Sequence, residues 1–78
     1  MIFNRISINP NVMMGKPCIK CNRITVECML DQFANGATIE YLLEGYPHIT
    51  NEDIKEALQY AGAVLNNQDV EEVYETNS

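Results

Sequence analysis

Three cysteines and one histidine are the side chains of this sequence that could bind a metal ion. Cys18 and Cys21 form a C-x-x-C pair, and Cys28 and His48 would complete four ligands for zinc. The second close pair that makes a structural zinc site convincing is missing. The C-x-x-C also lies in a Lys-Pro-Cys-Ile-Lys-Cys loop rather than at the start of a helix, which argues against a redox motif. We therefore expect small buried or half-buried thiols, with no metal and no cofactor.

His48 and the carboxylates are the remaining candidates for acid–base chemistry. His48 follows Pro47 in a predicted loop and has no partner nearby in the sequence, which favours a turn or packing role. Glu52, Asp53 and Glu56 lie on a predicted exposed helix face, where solvated side chains are commoner than acid–base pairs. We predict that the protein is not an enzyme.

The charges are divided unequally along the chain. The segment before Glu27 holds four cations and no acidic residue, whereas Glu27 and the residues after it hold all eleven acidic residues against Lys55 alone. A basic arm favours anionic ligands, and an acidic body repels them. The candidate nucleic-acid contacts are Arg5, Lys16, Lys20 and Arg23. Arg23 is the best candidate for a specific contact because its planar guanidinium makes paired hydrogen bonds, and its alternative is an internal ion pair with Glu27 or Asp31.

Length and composition predict a single folded domain. The chain has 78 residues, a net charge of −6 and 46% hydrophobic residues, which is ordinary for a globular protein. No run approaches the ~18 apolar residues of a membrane span, and the N-terminus lacks the apolar core of a signal peptide. We expect a cytoplasmic protein that contacts no membrane. Self-association as a homodimer is also expected, because a domain this small buries only about 60% of its unfolded surface.

The first third of the chain predicts a β arm or hairpin, over residues 1–25. Polar and apolar residues alternate from Arg5 to Ile8 and stop at an Asn-Pro-Asn turn. Cys18-Ile19 is a second extended piece, and Arg23 to Thr25 is a third.

Three helices are predicted within residues 26–65, because the hydrophobic period changes there from two to about 3.6. Gly36 is expected just past the first helix, Thr38 caps the second, and Thr50 with Asp53 resembles a capping box for the third. The predicted core positions are Val26, Met29, Leu30 and Phe33, then Ile39, Leu42, Leu43 and Tyr46, then Ile54, Ala57, Leu58, Ala61 and Val64 or Leu65. Tyr60 is expected in the core or an interface. The fold class is mainly α, with a three-helix bundle after the arm.

Helices two and three, joined by a turn near Gly45 to Ile49, have the order of a helix-turn-helix. The predicted exposed face of helix three offers Asn51, Glu52, Asp53, Lys55, Glu56 and Gln59. Its net charge repels DNA, so a packing role for this helix is the simpler interpretation.

Residues 66–78 predict a flexible acidic tail. Four carboxylates accompany Val70, Val73 and Tyr74, which are too few apolar groups to fold alone but enough to dock on something. These three residues are the candidate partner contacts.

The sequence also resembles a known family over about Arg5 to Ala61. The motifs that carry the resemblance are Asn9-Pro10, Gly15-Lys16-Pro17, Arg23-Ile24-Thr25-Val26, Gly36-Ala37-Thr38 and Tyr46-Pro47-His48. They are similar to the domain-of-unknown-function 433 family, counted among VapB-type antitoxins. Where that family typically has Gly-Thr, this chain has Cys21-Asn22, which marks the C-x-x-C as a local feature.

The resemblance implies a homeodomain-like helix-turn-helix after the β arm and a gene partner that is often a PIN-like nuclease toxin. The first functional hypothesis is therefore an antitoxin-like module that neutralises such a toxin through protein contacts, with the tail ordering on the partner. The alternative is a DNA-binding transcriptional regulator, such as one that acts on its own promoter, whose basic arm contacts phosphates. DNA binding by so acidic a chain should be weak and salt-sensitive.

Overall fold

The computed structural model describes residues 2–20, 22 and 24–66 in full and, beyond these, the backbone of Glu71–Tyr74. Strands β1 (Ile2–Ile8) and β2 (Cys18–Ile19) come first. Helices α1 (Val26–Ala34), α2 (Ile39–Gly45) and α3 (Asn51–Leu65) follow, and strand β3 (Glu71–Tyr74) comes last. An antiparallel hairpin before three helices confirms the predicted mainly α fold class.

The hairpin joins β1 to β2 with Ile6 opposite Ile19 and Ser7 opposite Cys18. A 3₁₀ turn, Met13–Gly15, lies in the connection. The third predicted extended piece also pairs, because the Ile19 N–H donates to the Ile24 carbonyl at 2.9 Å and Thr25 bridges to Cys18. Ile6, Ile19 and Ile24 are all buried, so the arm contributes an apolar face to the core.

Each helix begins at a threonine whose hydroxyl accepts a backbone hydrogen bond. Thr25 accepts from the Cys28 N–H at 2.9 Å. Thr38 accepts from the Tyr41 N–H at 3.1 Å, as predicted. The predicted capping box at Thr50 is also present. No helix among the described residues has the length and hydrophobicity to cross a bilayer.

Gly36 follows the end of α1 with a φ of +96°, as predicted for the residue after a helix. This left-handed conformation lets the chain turn at once into Thr38 and α2. The separation of α2 from α3, by residues 46–50, is slightly longer than in most helix-turn-helix motifs.

The buried face of α3 differs from the predicted one. Leu58, Val64 and Leu65 are 41%, 45% and 81% exposed, whereas Tyr60 and Ala63 are buried. The predictions for Leu58 and for Val64 or Leu65 were therefore wrong. The expectation that Tyr60 is buried was confirmed. Strand β1 packs on α3 and contacts Tyr60 through Phe3, so this side of the helix faces the core, and Leu58 and Leu65 face solvent.

Phe3 of β1 shows this packing directly. Its ring meets Tyr60 edge to face, with centroids 5.5 Å apart and an interplanar angle of 90°. Leu30 of α1 and Ile39 of α2, also predicted as core, are 37% and 39% exposed. The best-buried large side chains are Ile19, Met29, Leu42 and Ile54.

Strand β3 lies where the sequence analysis placed a flexible tail. It pairs parallel to β1, with Glu71 opposite Ile2 and Tyr74 opposite Ile8, and the sheet order is β2-β1-β3. The register shifts along β1, so the pairing is irregular. The backbone of this segment thus docks on the first strand of its own chain, while residues 67–70 and 75–78 of the predicted tail lie outside the described residues.

We predict that Tyr60→Ala lowers the melting temperature strongly, because it removes a buried ring and its contact with Phe3. A loss of about 3–5 kcal/mol in unfolding free energy is expected for such a truncation. Tyr41→Ala is the control, since Tyr41 is 63% exposed. Thermal unfolding followed by circular dichroism measures both. An unchanged melting temperature together with weaker binding of a partner would count against a core role for Tyr60.

Candidate functional site

Arg5, the first predicted nucleic-acid contact, is bound to α3. Its Nη1 lies 3.0 Å from Oδ1 of Asp53, and its backbone N–H donates to Oε2 of Glu56. The guanidinium side chain is 46% exposed, but the carboxylate that it meets is only 12% exposed. The charge of Arg5 is therefore used to hold β1 against α3.

Asp53 does not lie on the exposed face of α3, so that prediction was wrong. The residue is 8% exposed, and its second oxygen, Oδ2, accepts the backbone N–H of Thr50 at 2.9 Å. Both carboxylate oxygens thus have partners, which a buried charge requires. The capping box explains the orientation, because it turns the Asp53 side chain back toward the start of the helix.

Lys16, the second predicted contact, pairs with a carboxylate of α1. Its Nζ lies 3.0 Å from Oε1 of Glu27, with side chains 51% and 69% exposed. This is a surface pair, which contributes little stability. Glu27, one of the two carboxylates considered for Arg23, is therefore engaged by Lys16.

Lys20 is the most available of the described arm cations. It is exposed, and no ion pair holds it among the residues that the structure describes. Its backbone N–H donates to the Arg5 carbonyl at 2.7 Å, which fixes its position at the end of the hairpin. Arg23 lies outside the described residues.

Val70 also lies outside the described residues. The backbones of Val73 and Tyr74 belong to β3 and face Ser7 and Ile8 of β1 in the register. The structure brings these predicted partner contacts to the same sheet as Arg5, through β1.

The residues considered for metal binding differ in their exposure to solvent. Cys18 is buried and its thiol donates to the Lys16 carbonyl at 3.3 Å, whereas Cys28 is exposed. His48 is exposed in the turn before α3, and Cys21 lies outside the described residues. Within the described part of the chain, no three His, Cys, Asp or Glu residues are grouped as a metal site.

The outward face of α3 carries a polar stripe that the sequence analysis did not separate from its acidic neighbours. Asn51, Lys55 and Gln59 recur every four residues and are all exposed. Asp53 has turned inward, and Glu56 is half-buried with its carboxylate on the Arg5 backbone. The signal was the capping box, which already implied that Asp53 does not point outward.

Comparison with known proteins adds the family. Residues 6–61 match the family model described as "Protein of unknown function (DUF433)". The chain belongs to this family. A solved DUF433 member protein from Anabaena variabilis ATCC 29413 is 33% identical, with a TM-score of 0.77. The match covers 82% of this chain and 63% of that one, so this DUF433 chain spans less than two thirds of the other's length. No curated protein matches it.

The different environments of the two paired arm cations yield a prediction. Arg5→Gln should lower the unfolding free energy by about 1–2 kcal/mol, because it leaves the poorly exposed Asp53 carboxylate without its cation. Lys16→Gln removes the same charge from an exposed pair and should change the unfolding free energy by less than about 0.5 kcal/mol. Urea unfolding of the two variants measures the difference. Equal losses would show that Arg5 contributes only a surface charge.

Proposed function

We propose that this DUF433 protein is an antitoxin-like binding module that neutralises a PIN-like nuclease toxin through protein contacts. The observation that carries the proposal is which charged side chains are ion-paired and which are exposed without a partner charge. Arg5 and Lys16 are engaged by carboxylates of the same chain, while Asp31, Glu40 and Glu44 remain exposed on α1 and α2. Among the residues that the structure describes, the charges left without an ion pair are therefore mostly acidic.

An acidic surface suits a nuclease as partner. A nuclease binds a polyanion, so its nucleic-acid site must present cations, and complementary charge gives fast and specific association. No cation occurs between Ile24 and Ile54, a range that includes all of α1 and α2. The acidic helices of this chain can therefore take the place of the toxin's nucleic acid.

Exposed apolar side chains support protein contact as well. Leu58 and Leu65 of α3 and Tyr41 of α2 are 41%, 81% and 63% exposed. Protein interfaces draw most of their binding energy from a few such side chains. Val70, Val73 and Tyr74 are proposed as further partner contacts, and a homodimer is the other arrangement in which the apolar surface would be covered.

The proposed activity is binding and not catalysis. His48 is exposed in a turn, and the Asp53 carboxylate, one of the acidic candidates, has a structural role between Arg5 and Thr50. We propose that the protein acts in the cytoplasm, on the product of a neighbouring gene.

Co-expression with that gene product should give a defined complex. We expect the two proteins to co-elute in size-exclusion chromatography with light scattering, and the complex to weaken as NaCl rises from about 50 to about 500 mM, because screening reduces charge attraction. Charge reversal at the two exposed carboxylates of α2, Glu40→Lys with Glu44→Lys, should weaken it further. Lys55→Glu is the matched control and should not weaken it. Separate elution at low salt would contradict the proposal.

The second candidate function is DNA binding, and the polar stripe of α3 favours it. Asn and Gln pair with adenine edges, and Lys contacts guanine or phosphate. Asn51, Lys55 and Gln59 are such residues on one exposed face. The exposed Glu52 and the net charge of −6 oppose it, so we expect weak binding by the isolated protein.

Fluorescence anisotropy with a labelled duplex from the protein's own promoter tests this candidate. Affinity should fall steeply with salt, and Lys55→Gln should reduce the logarithmic salt slope by about 1 if the side chain neutralises a phosphate. Lys16→Gln is the control, because Lys16 already pairs with Glu27. Absence of binding at low salt, or an equal change in both variants, would rule out this use of α3.

A further inference from the structure

A pocket of about 450 Å³ lies where α1 ends and α2 begins. Its size falls within the range of small-ligand sites. It is lined by Gln32, Asn35, Gly36, Ala37, Thr38 and Tyr41. Neither the predicted nucleic-acid contacts nor the predicted partner contacts belong to it.

The backbone donors of this pocket are already used. The N–H groups of Asn35, Gly36 and Ala37 donate to carbonyls of the last turn of α1, at 3.0–3.1 Å. The Thr38 hydroxyl oxygen accepts the Tyr41 N–H at 3.1 Å. An anion would find no backbone donor among these three residues.

Two side-chain amides of the pocket retain hydrogen-bond acceptors. Nε2 of Gln32 donates to the Tyr46 hydroxyl at 3.0 Å, and Nδ2 of Asn35 donates to the Asp31 carbonyl at 2.9 Å. Within the described part of the chain, the carbonyl oxygen of each of these two amides has no hydrogen bond. The pocket therefore offers two amide oxygens to a ligand that donates.

The electrostatic surroundings favour a cation. The pocket lies at the negative C-terminal end of α1 and at the positive N-terminal end of α2, so the two helix dipoles offset each other there. Asp31 and Glu40, both exposed, are the chain neighbours of the lining residues Gln32 and Tyr41. A positive ligand gains from these two carboxylates.

Tyr41 adds an aromatic ring that is 63% exposed. A guanidinium group stacks on such a ring and donates in a planar fork, which an ammonium group cannot do. We propose that this pocket binds the guanidinium group of an arginine side chain, with Tyr41 as the stacking platform and the Gln32 and Asn35 oxygens as acceptors. That the arginine belongs to the protein partner rests on the proposed function.

The pocket is tested without any partner, by titrating the ¹⁵N-labelled full chain with N-acetyl-arginine amide. Amide shifts should change at Asn35, Gly36, Ala37 and Tyr41. The citrulline analogue, which has the same shape without the charge, should leave them unchanged, and the lysine analogue should bind more weakly. Equal binding of arginine and citrulline, or shifts spread over other helices, would overturn the proposal.

Two variants at one exposed position complete the test. Tyr41→Phe keeps the ring and should retain binding, whereas Tyr41→Leu should weaken it about two- to fivefold. The same spectra verify that each variant is folded. Tyr41→Leu should also weaken the complex with the toxin. An unchanged complex would overturn the assignment of the arginine to that partner, and a complete lack of complex would refute the proposed function while leaving the titration result intact.

Discussion

The Asp53 carboxylate is the group on which the arrangement of β1 and α3 depends. Residue Asp53 is 8% exposed, and its carboxylate accepts from the Arg5 side chain through one oxygen and from the Thr50 backbone through the other. A buried carboxylate is tolerated only with such partners. One side chain thereby starts α3 and anchors β1 beside it. Since β2 and β3 both pair with β1, this contact and the packing of Phe3 on Tyr60 together position the whole sheet.

This constraint limits how many cations of the basic arm are available to bind a nucleic acid. The sequence places cations before residue 26 and carboxylates after it, a division that suggests a nucleic-acid surface. In the folded chain the arm lies on the acidic helices, so that Arg5 meets α3 and Lys16 meets α1. The two charge groups partly neutralise each other within the molecule. Among the described residues, the charge that remains outward is mostly negative, and most of it lies on the helices.

Local signals in the sequence were sufficient for the order of the elements. The capping contacts of Thr38 and Thr50 and the turn at Gly36 involve only residues a few positions away. Helix starts and ends could therefore be predicted. The burial of Ala63 and the exposure of Leu58 and Leu65 could not, because the side of α3 that is buried depends on its packing with β1, a segment far away in the chain.

Strand β3 escaped prediction for a related reason. Four residues with two adjacent carboxylates have little strand propensity, and their pairing depends on the edge that β1 offers. The pocket beside Tyr41 likewise arises from how α1 meets α2, so the Gly36-Ala37-Thr38 motif that lines it did not by itself predict a binding site.

The two proposed functions are linked by charge. An isolated chain with a net charge of −6 should bind DNA only weakly, whatever residues α3 presents. A cationic partner bound to the acidic helices would cancel much of that charge, whereas Asn51, Lys55 and Gln59 would keep their exposed stripe if the partner occupied α1 and α2. Protein binding would then strengthen DNA binding and not compete with it. The Tyr41 pocket lies between α1 and α2, on the two helices that carry no cation. A partner arginine bound there would thus bring positive charge to the two helices that have none of their own.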